Sequence, residues 1–212
     1  VAFFKNEKLH KITGLFFFLF SGYLLIALTS FLFTWQADQD KILGISWSEF
    51  LFQPELKVDN WLGKLGALTA HIFIHEWLGV ASFIFIFISF LLGFRILFQI
   101  SIVPLKKTFR YSIFGLLWIS ALFGHIVGSS DLLFLGGRVG FQMSNWLSSI
   151  LGSIGTTLLL CFILLVFSVI TFNLSFNRLK KFFLSFKKFS DTPTATSPDG
   201  TPQNMLQDET IF

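Results

Sequence analysis

Few residues in this sequence could do chemistry, and three of them stand together. In His71-Ile72-Phe73-Ile74-His75-Glu76 two imidazoles are four apart, with a carboxylate beside the second. On a helix, positions i and i+4 share a face, and imidazole pairs ligate zinc and haem iron. His125, deep in a later apolar run, would be the natural further ligand. Against such a site stands the supply of ligands: the chain has 4 His, and His10 lies among Lys5, Lys8 and Lys11. His75 and Glu76 also fall at the edge of a span, where polar groups reach water cheaply. The expectation is therefore no metal and no cofactor. His125, polar within a span and so a candidate for function, is read as hydrogen-bonded to a neighbouring helix.

Other catalytic signatures are missing. Gly63-Lys64 is followed by Leu65 and preceded by no strand, so it is not a phosphate-binding loop. There is no GxSxG elbow, no pair of catalytic carboxylates and, with Cys161 the single cysteine, no thiolate metal motif or intrachain disulfide. Arg95 and Arg138 are lone cations at span edges and read as snorkelling side chains. No catalytic residue can be named.

The elements that must carry these residues are set by hydropathy. Of 212 residues, 53% are hydrophobic and 13% charged, with 31 Phe. An ordinary soluble domain is about 25% charged, and a mean hydropathy of +0.71 excludes a water-soluble globule. Residues 12–37, 77–94, 111–130 and 139–177 contain no Asp, Glu, Lys or Arg. A spanning helix needs roughly 20 apolar residues, so the first three runs each hold one span. The fourth is read as an interfacial or re-entrant segment, about 138–150, leading into a span. The first run is too long for the h-region of a signal peptide, about 7–15 residues. The fold expected is all-α integral membrane: four transmembrane helices near 12–34, 77–98, 111–129 and 151–173, arranged as two hairpins. Short interfacial or re-entrant helices precede the second and fourth spans, the first of them over 59–76.

Charge orients the spans. Lys5, Lys8 and Lys11 precede the first; Arg95, Lys106, Lys107 and Arg110 separate the second and third; Arg178, Lys180, Lys181, Lys187 and Lys188 follow the fourth. The opposite side carries Lys41, Lys57, Lys64 and Arg138, diluted by seven acidic residues. The positive-inside rule places both termini in the cytoplasm. The domain reading is a basic segment at 1–11, a membrane domain at 12–175, a basic amphipathic helix at 176–190 and the start of a linker at 191–212. In the third of these, Leu179, Phe182, Phe183, Phe186 and Phe189 share a face while Arg178, Lys180, Lys181, Lys187 and Lys188 meet anionic headgroups. The Pro- and Thr-rich 191–204 cannot bury a core and reads as a tether. With Val at its start and a tether near its end, the chain reads as part of a longer one.

One punctuation occurs twice. Asn60-Trp61-Leu62-Gly63-Lys64-Leu65-Gly66-Ala67 has an imperfect counterpart from Asn145-Trp146 to Gly152-Ser153-Ile154-Gly155-Thr156. Aligned on the glycines, Gly63 pairs with Gly152 and Gly66 with Gly155. The tryptophans suit the headgroup level. The glycines let backbones approach where lipid offers no hydrophobic drive for association, and Gly136, Gly137 and Gly140 add a flexible entry to the second copy. Both copies precede a helix running inward, as in a parallel repeat of hairpins.

Order and spacing of these motifs resemble a known family. Trp35-Gln36-Ala37-Asp38-Gln39-Asp40 ends the first span, Asn60 to Ala67 follows, and Gly136-Gly137-Arg138-Val139-Gly140 precedes the last. Together they resemble the N-terminal membrane region of the FtsK/SpoIIIE DNA translocases, most nearly the form found in Bacteroidetes, over about 12–175 and the tail. Arg138 departs from the small or apolar residue expected there. The resemblance implies a membrane anchor and assembly domain at the division septum of the bacterial inner membrane, contacting other septal division proteins and the lipid bilayer. ATP, Mg2+, duplex DNA and homo-oligomerisation belong, on this reading, to a motor not present in these residues. The alternatives are a stand-alone membrane protein with a His-based haem or metal site, and a small transporter or accessory subunit.

Overall fold

The charge-free runs become helices, and glycines decide where those helices break. The computed structural model describes residues 7–42, 44–128 and 131–172. Helix α1 spans Glu7–Ile42, α2 spans Trp47–Phe52 and α3 spans Gly63–Ala70. From α3 the chain runs on through a π-helical stretch, His71–Leu78, and a 3-10 turn, Gly79–Ser82, into α4, Phe83–Phe98. Then come α5, Leu105–Val127, a 3-10 turn at Asp131–Leu135, and α6, Gly137–Phe172. No strand occurs among the described residues. Four helical segments are long and apolar enough to cross a membrane: 7–38, 63–98, 105–127 and 137–172. The protein is an all-α membrane protein.

The helix bounds differ from the expected spans for local reasons. Helix α1 runs past Phe33 because Gln36, Ala37, Gln39 and Lys41 continue a good helix-forming sequence beyond the apolar run. Helix α5 starts at Leu105 because Pro104, with φ −68°, is preset to open a helix, and it ends at Gly128 with φ +59°. The second span does not start at Trp77. Trp77 has non-helical φ/ψ (−99°, −108°) and Gly79 takes φ +65°, ψ −146°, so the chain bends there before α4. Residues 63–78 thus form a separate helical arm, and 60–62 form the turn before it instead of its first residues.

The chain forms two compact units, residues 1–161 and 162–212. In the first unit α1 packs against α2, α3 and α4. Its N-terminal half packs against α4 through glycines: a Cβ on Gly93 would lie 2.6 Å from Phe18 N, and one on Gly14 2.9 Å from Leu97 N. Such backbone-to-backbone contact is how helices associate within lipid. The C-terminal half of α1 meets α3 and the 131–135 turn, where Leu28, Phe31, Ala70, Ile74 and Phe134 form a buried cluster. A second cluster of Ile42, Phe50, Ala67 and Leu68 seats α2. In the second unit the described residues, 162–172, finish α6. Phe162, Leu165, Ile170 and Phe172 are exposed there, as lipid-facing residues would be. The basic residues Arg178, Lys180, Lys181, Lys187 and Lys188, and the linker, lie outside the described residues.

Candidate functional site: a motif clasp and a glycine junction

Two motifs that the sequence keeps apart form one structure. Asp38, only 1% exposed, accepts hydrogen bonds from the backbone N–H groups of Asp59 (2.7 Å) and Asn60 (2.9 Å). Trp61 N–H donates to Ser30 Oγ at 2.9 Å. The Asn60 amide donates to Ala27 O at 3.2 Å, and its Oδ1 accepts from Leu62 N–H at 3.1 Å. Lys41 stands 3.7 Å from Asp38 and 3.8 Å from Asp59. Asp59, Asn60 and Trp61 are thereby pinned to α1, and Leu62 is bonded back to Asn60. A buried carboxylate is tolerated because its charge is met by fixed N–H donors and a cation.

The glycines of this turn have separate duties. Gly63 holds φ +63°, which any other L-residue adopts at a cost. Gly66 is helical, but a Cβ there would fall on Asn60 Oδ1 and lie 2.6 Å from Leu62 Cβ. Ala67 is buried against Phe50 and Ile42. Trp61, 63% exposed, stacks on Phe33 at 6.2 Å, with an interplanar angle of 12°.

At the next junction, backbones meet with nothing between them. Cβ atoms on Gly79 and Gly136 would lie 2.6 Å from Gly136 C and 2.7 Å from Gly124 Cα. On Gly137, Gly124 and Gly140 they would lie 2.8 Å from Ile74 O, 2.6 Å from Phe141 N and 2.6 Å from Ser120 C. Ser120, fully buried, donates to Gly136 O at 2.7 Å. The 3-10 turn, α5 and the start of α6 therefore dock on the bend at Gly79. Sequence reasoning named Gly136, Gly137 and Gly140 but missed Gly79, Gly124, Ser120 and the carboxylate role of Asp38. Gly79 was the legible one, as a glycine two residues after a tryptophan at the mouth of an apolar run.

The two arms share a pattern of positive-φ glycines, in a register other than that of the matching letters. Gly63 and Gly137 open helices with φ +63° and +67°; Gly79 and Gly152 break them with φ +65° and +71°. Pairing Gly63 with Gly152 on their matching letters sets the start of one arm against the end of the other, so that alignment is corrected. Gly155 is helical, and a Cβ there would meet only Leu151 of its own helix, at 3.0 Å. Trp146 is 65% exposed.

His125 is engaged on both nitrogens. Nδ1 pairs with Ser144 Oγ at 3.2 Å and Nε2 with Thr157 Oγ1 at 2.8 Å, one on each side of the break at Gly152. Thr156, fully buried, donates to Gly152 O at 2.9 Å, and Trp118 Nε1 donates to Leu160 O at 3.0 Å. Arg138 does not snorkel alone: its Nη1 lies 2.9 Å from Glu76 Oε2, tying the arm 63–78 to α6. His71 and His75 stack at 4.7 Å beside the other oxygen of the same carboxylate.

Compared with known proteins, residues 6–183 match the family model described as the 4TM region of DNA translocase FtsK/SpoIIIE. No curated protein and no solved structure matches the chain.

Proposed function

The chain belongs to the FtsK/SpoIIIE family as its four-transmembrane region, and from that premise we propose that it is the non-catalytic anchor and assembly domain of a septal DNA translocase. It holds the translocase in the bacterial inner membrane, both termini cytoplasmic, where cell division is coupled to chromosome segregation. The observation that carries this reading is the use made of polar groups inside the bundle. Asp38, Ser30, Asn60, Ser120 and His125 are all engaged in holding one backbone segment or helix to another. That is the economy of a scaffold. The basic run Arg178, Lys180, Lys181, Lys187 and Lys188 supports a cytoplasmic exit along anionic lipid, and the Pro- and Thr-rich stretch after it supports a tether to a motor. ATP and Mg2+, duplex DNA and homo-oligomerisation are assigned to that motor; septal division proteins are the partners of the anchor.

A fluorescent fusion of residues 1–212 tests the reading in dividing cells. Septal concentration is expected, with no ATP hydrolysis by the purified fragment and no duplex-DNA binding that survives added salt. Even spread around the envelope would remove the septal role and leave a membrane anchor.

A further inference from the structure

The π-helical stretch places His71, His75 and Glu76 as neither the clasp nor the glycine junction requires. His71 Nε2 and His75 Nδ1 lie 3.8 and 3.5 Å from the same atom, Glu76 Oε1. These separations are too long for charge-assisted hydrogen bonds, which run about 2.7–2.9 Å. They are close to the edges of a metal tetrahedron: with bonds of about 2.0–2.1 Å, two ligands of Zn2+ stand roughly 3.3–3.4 Å apart. One donor atom from each of the three residues lies within 4.8 Å of the other two. The rings are nearly parallel, 12° apart.

Two further observations point the same way. The Nδ1 of His75, the atom that faces Glu76 Oε1, is buried with no hydrogen-bond partner, and His71 beside it is only 4% exposed. Buried polar atoms of that kind need an explanation. Arg138 occupies Oε2 of Glu76 and leaves Oε1 to the histidines. An ion pair alone would account for Arg138 but not for two imidazoles turned on the remaining oxygen. A ligating carboxylate is commonly held by such an outer partner, and π-helical turns are frequent at functional sites. The count of four His argued against a metal on sequence alone; the widened turn supplies the convergence that spacing could not show.

We propose that His71, His75 and Glu76 form a binding site for a divalent transition-metal ion of the zinc class, with Arg138 positioning the carboxylate. Mixed imidazole and carboxylate donors suit Zn2+ or Co2+ over Mg2+ or Ca2+. The site stands independently of the septal role.

The test uses the purified chain in lipid nanodiscs, carrying an affinity tag without histidine. Zn2+ alone is added, excess is removed by dialysis, and retained metal is measured. Stoichiometric Zn2+ is expected in the parent and in His10→Gln, with loss in His75→Gln and at least tenfold weaker retention in Glu76→Gln. His71→Gln, being buried, is informative only if folded, so Co2+ in the parent gives a variant-free reading. Intense visible bands of tetrahedral Co2+, displaced by Zn2+, are expected. Absence of stoichiometric Zn2+ and of those bands in the parent overturns the proposal, as does retention unchanged in both His75→Gln and Glu76→Gln.

Discussion

At Asp38 the physics of burying a charge decides what the side chain can be replaced by. Both carboxylate oxygens face backbone N–H donors, so a substitute must offer two acceptors. Asn offers one, and turns a donor toward the other N–H. Asp38→Asn is therefore expected to cost about 1.5–3 kcal/mol, the worth of a hydrogen bond to a charged group. Ser30→Ala removes a single neutral acceptor and should cost about 1 kcal/mol. Thermal unfolding of the detergent-solubilised protein checks both; a parent-like midpoint for Asp38→Asn would show the clasp to be inert. Gly66→Ala belongs with them, since its methyl group would displace the Asn60 amide; overpacking of this kind costs about 1–3 kcal/mol. Asp38 stood in plain view in the sequence, but its role did not. Its donors lie 21 and 22 residues downstream in a turn, and neither hydropathy nor helical periodicity reports a partner at that range. His125 was legible because the prior for a polar residue inside a span already says that it must find a neighbour.

Among the elements, existence was legible and interruption was not. Four charge-free runs translate directly into helices because lipid leaves the backbone no other way to satisfy itself. A break, by contrast, depends on one residue's φ, which composition does not encode: Gly22, Gly79 and Gly115 look alike in apolar surroundings, yet only Gly79 has positive φ. Matching letters led to pairing Gly63 with Gly152, whereas matching conformation pairs Gly79 with Gly152. The two breaks differ in their surroundings, which separates strain from crowding. A Cβ on Gly152 meets nothing within 4 Å, while one on Gly79 runs into the 135–136 backbone. Gly152→Ala should therefore show only backbone strain, about 1–3 kcal/mol. Gly79→Ala should incur that strain and also lose the docking of the 131–137 segment. Comparing the two variants by unfolding and by limited proteolysis near residue 135 checks this, and equal behaviour would contradict it.

For the whole molecule, the strongest lever is sidedness, which follows from twelve Lys and Arg placed on three segments. With Cys161 first replaced by Ser, single cysteines at Asp40 and Lys107 should react with an impermeant maleimide from opposite faces. Asp40 is expected to label from outside the cell, and Lys107 and Lys187 only after permeabilisation. Reversal at any of the three would break the proposed orientation, while leaving family membership and the clasp untouched. The coarse identity was legible at this scale because motif order survives without knowledge of contacts. The relation between motifs was not, since it exists only once α1 and the turn 59–62 meet.

That meeting also sets an order in time. Helix α1 precedes the turn in the chain, and its own hydropathy suffices for insertion, but until residue 61 has followed it Ser30 lacks the Trp61 N–H and Asp38 has only Lys41 beside it. The first hairpin is thus unfinished business for the membrane-insertion machinery until its second arm arrives. Only then does Gly79 present a surface on which Gly136 and Gly137 can land. The second hairpin, made last, is built against a template that the first must already have completed.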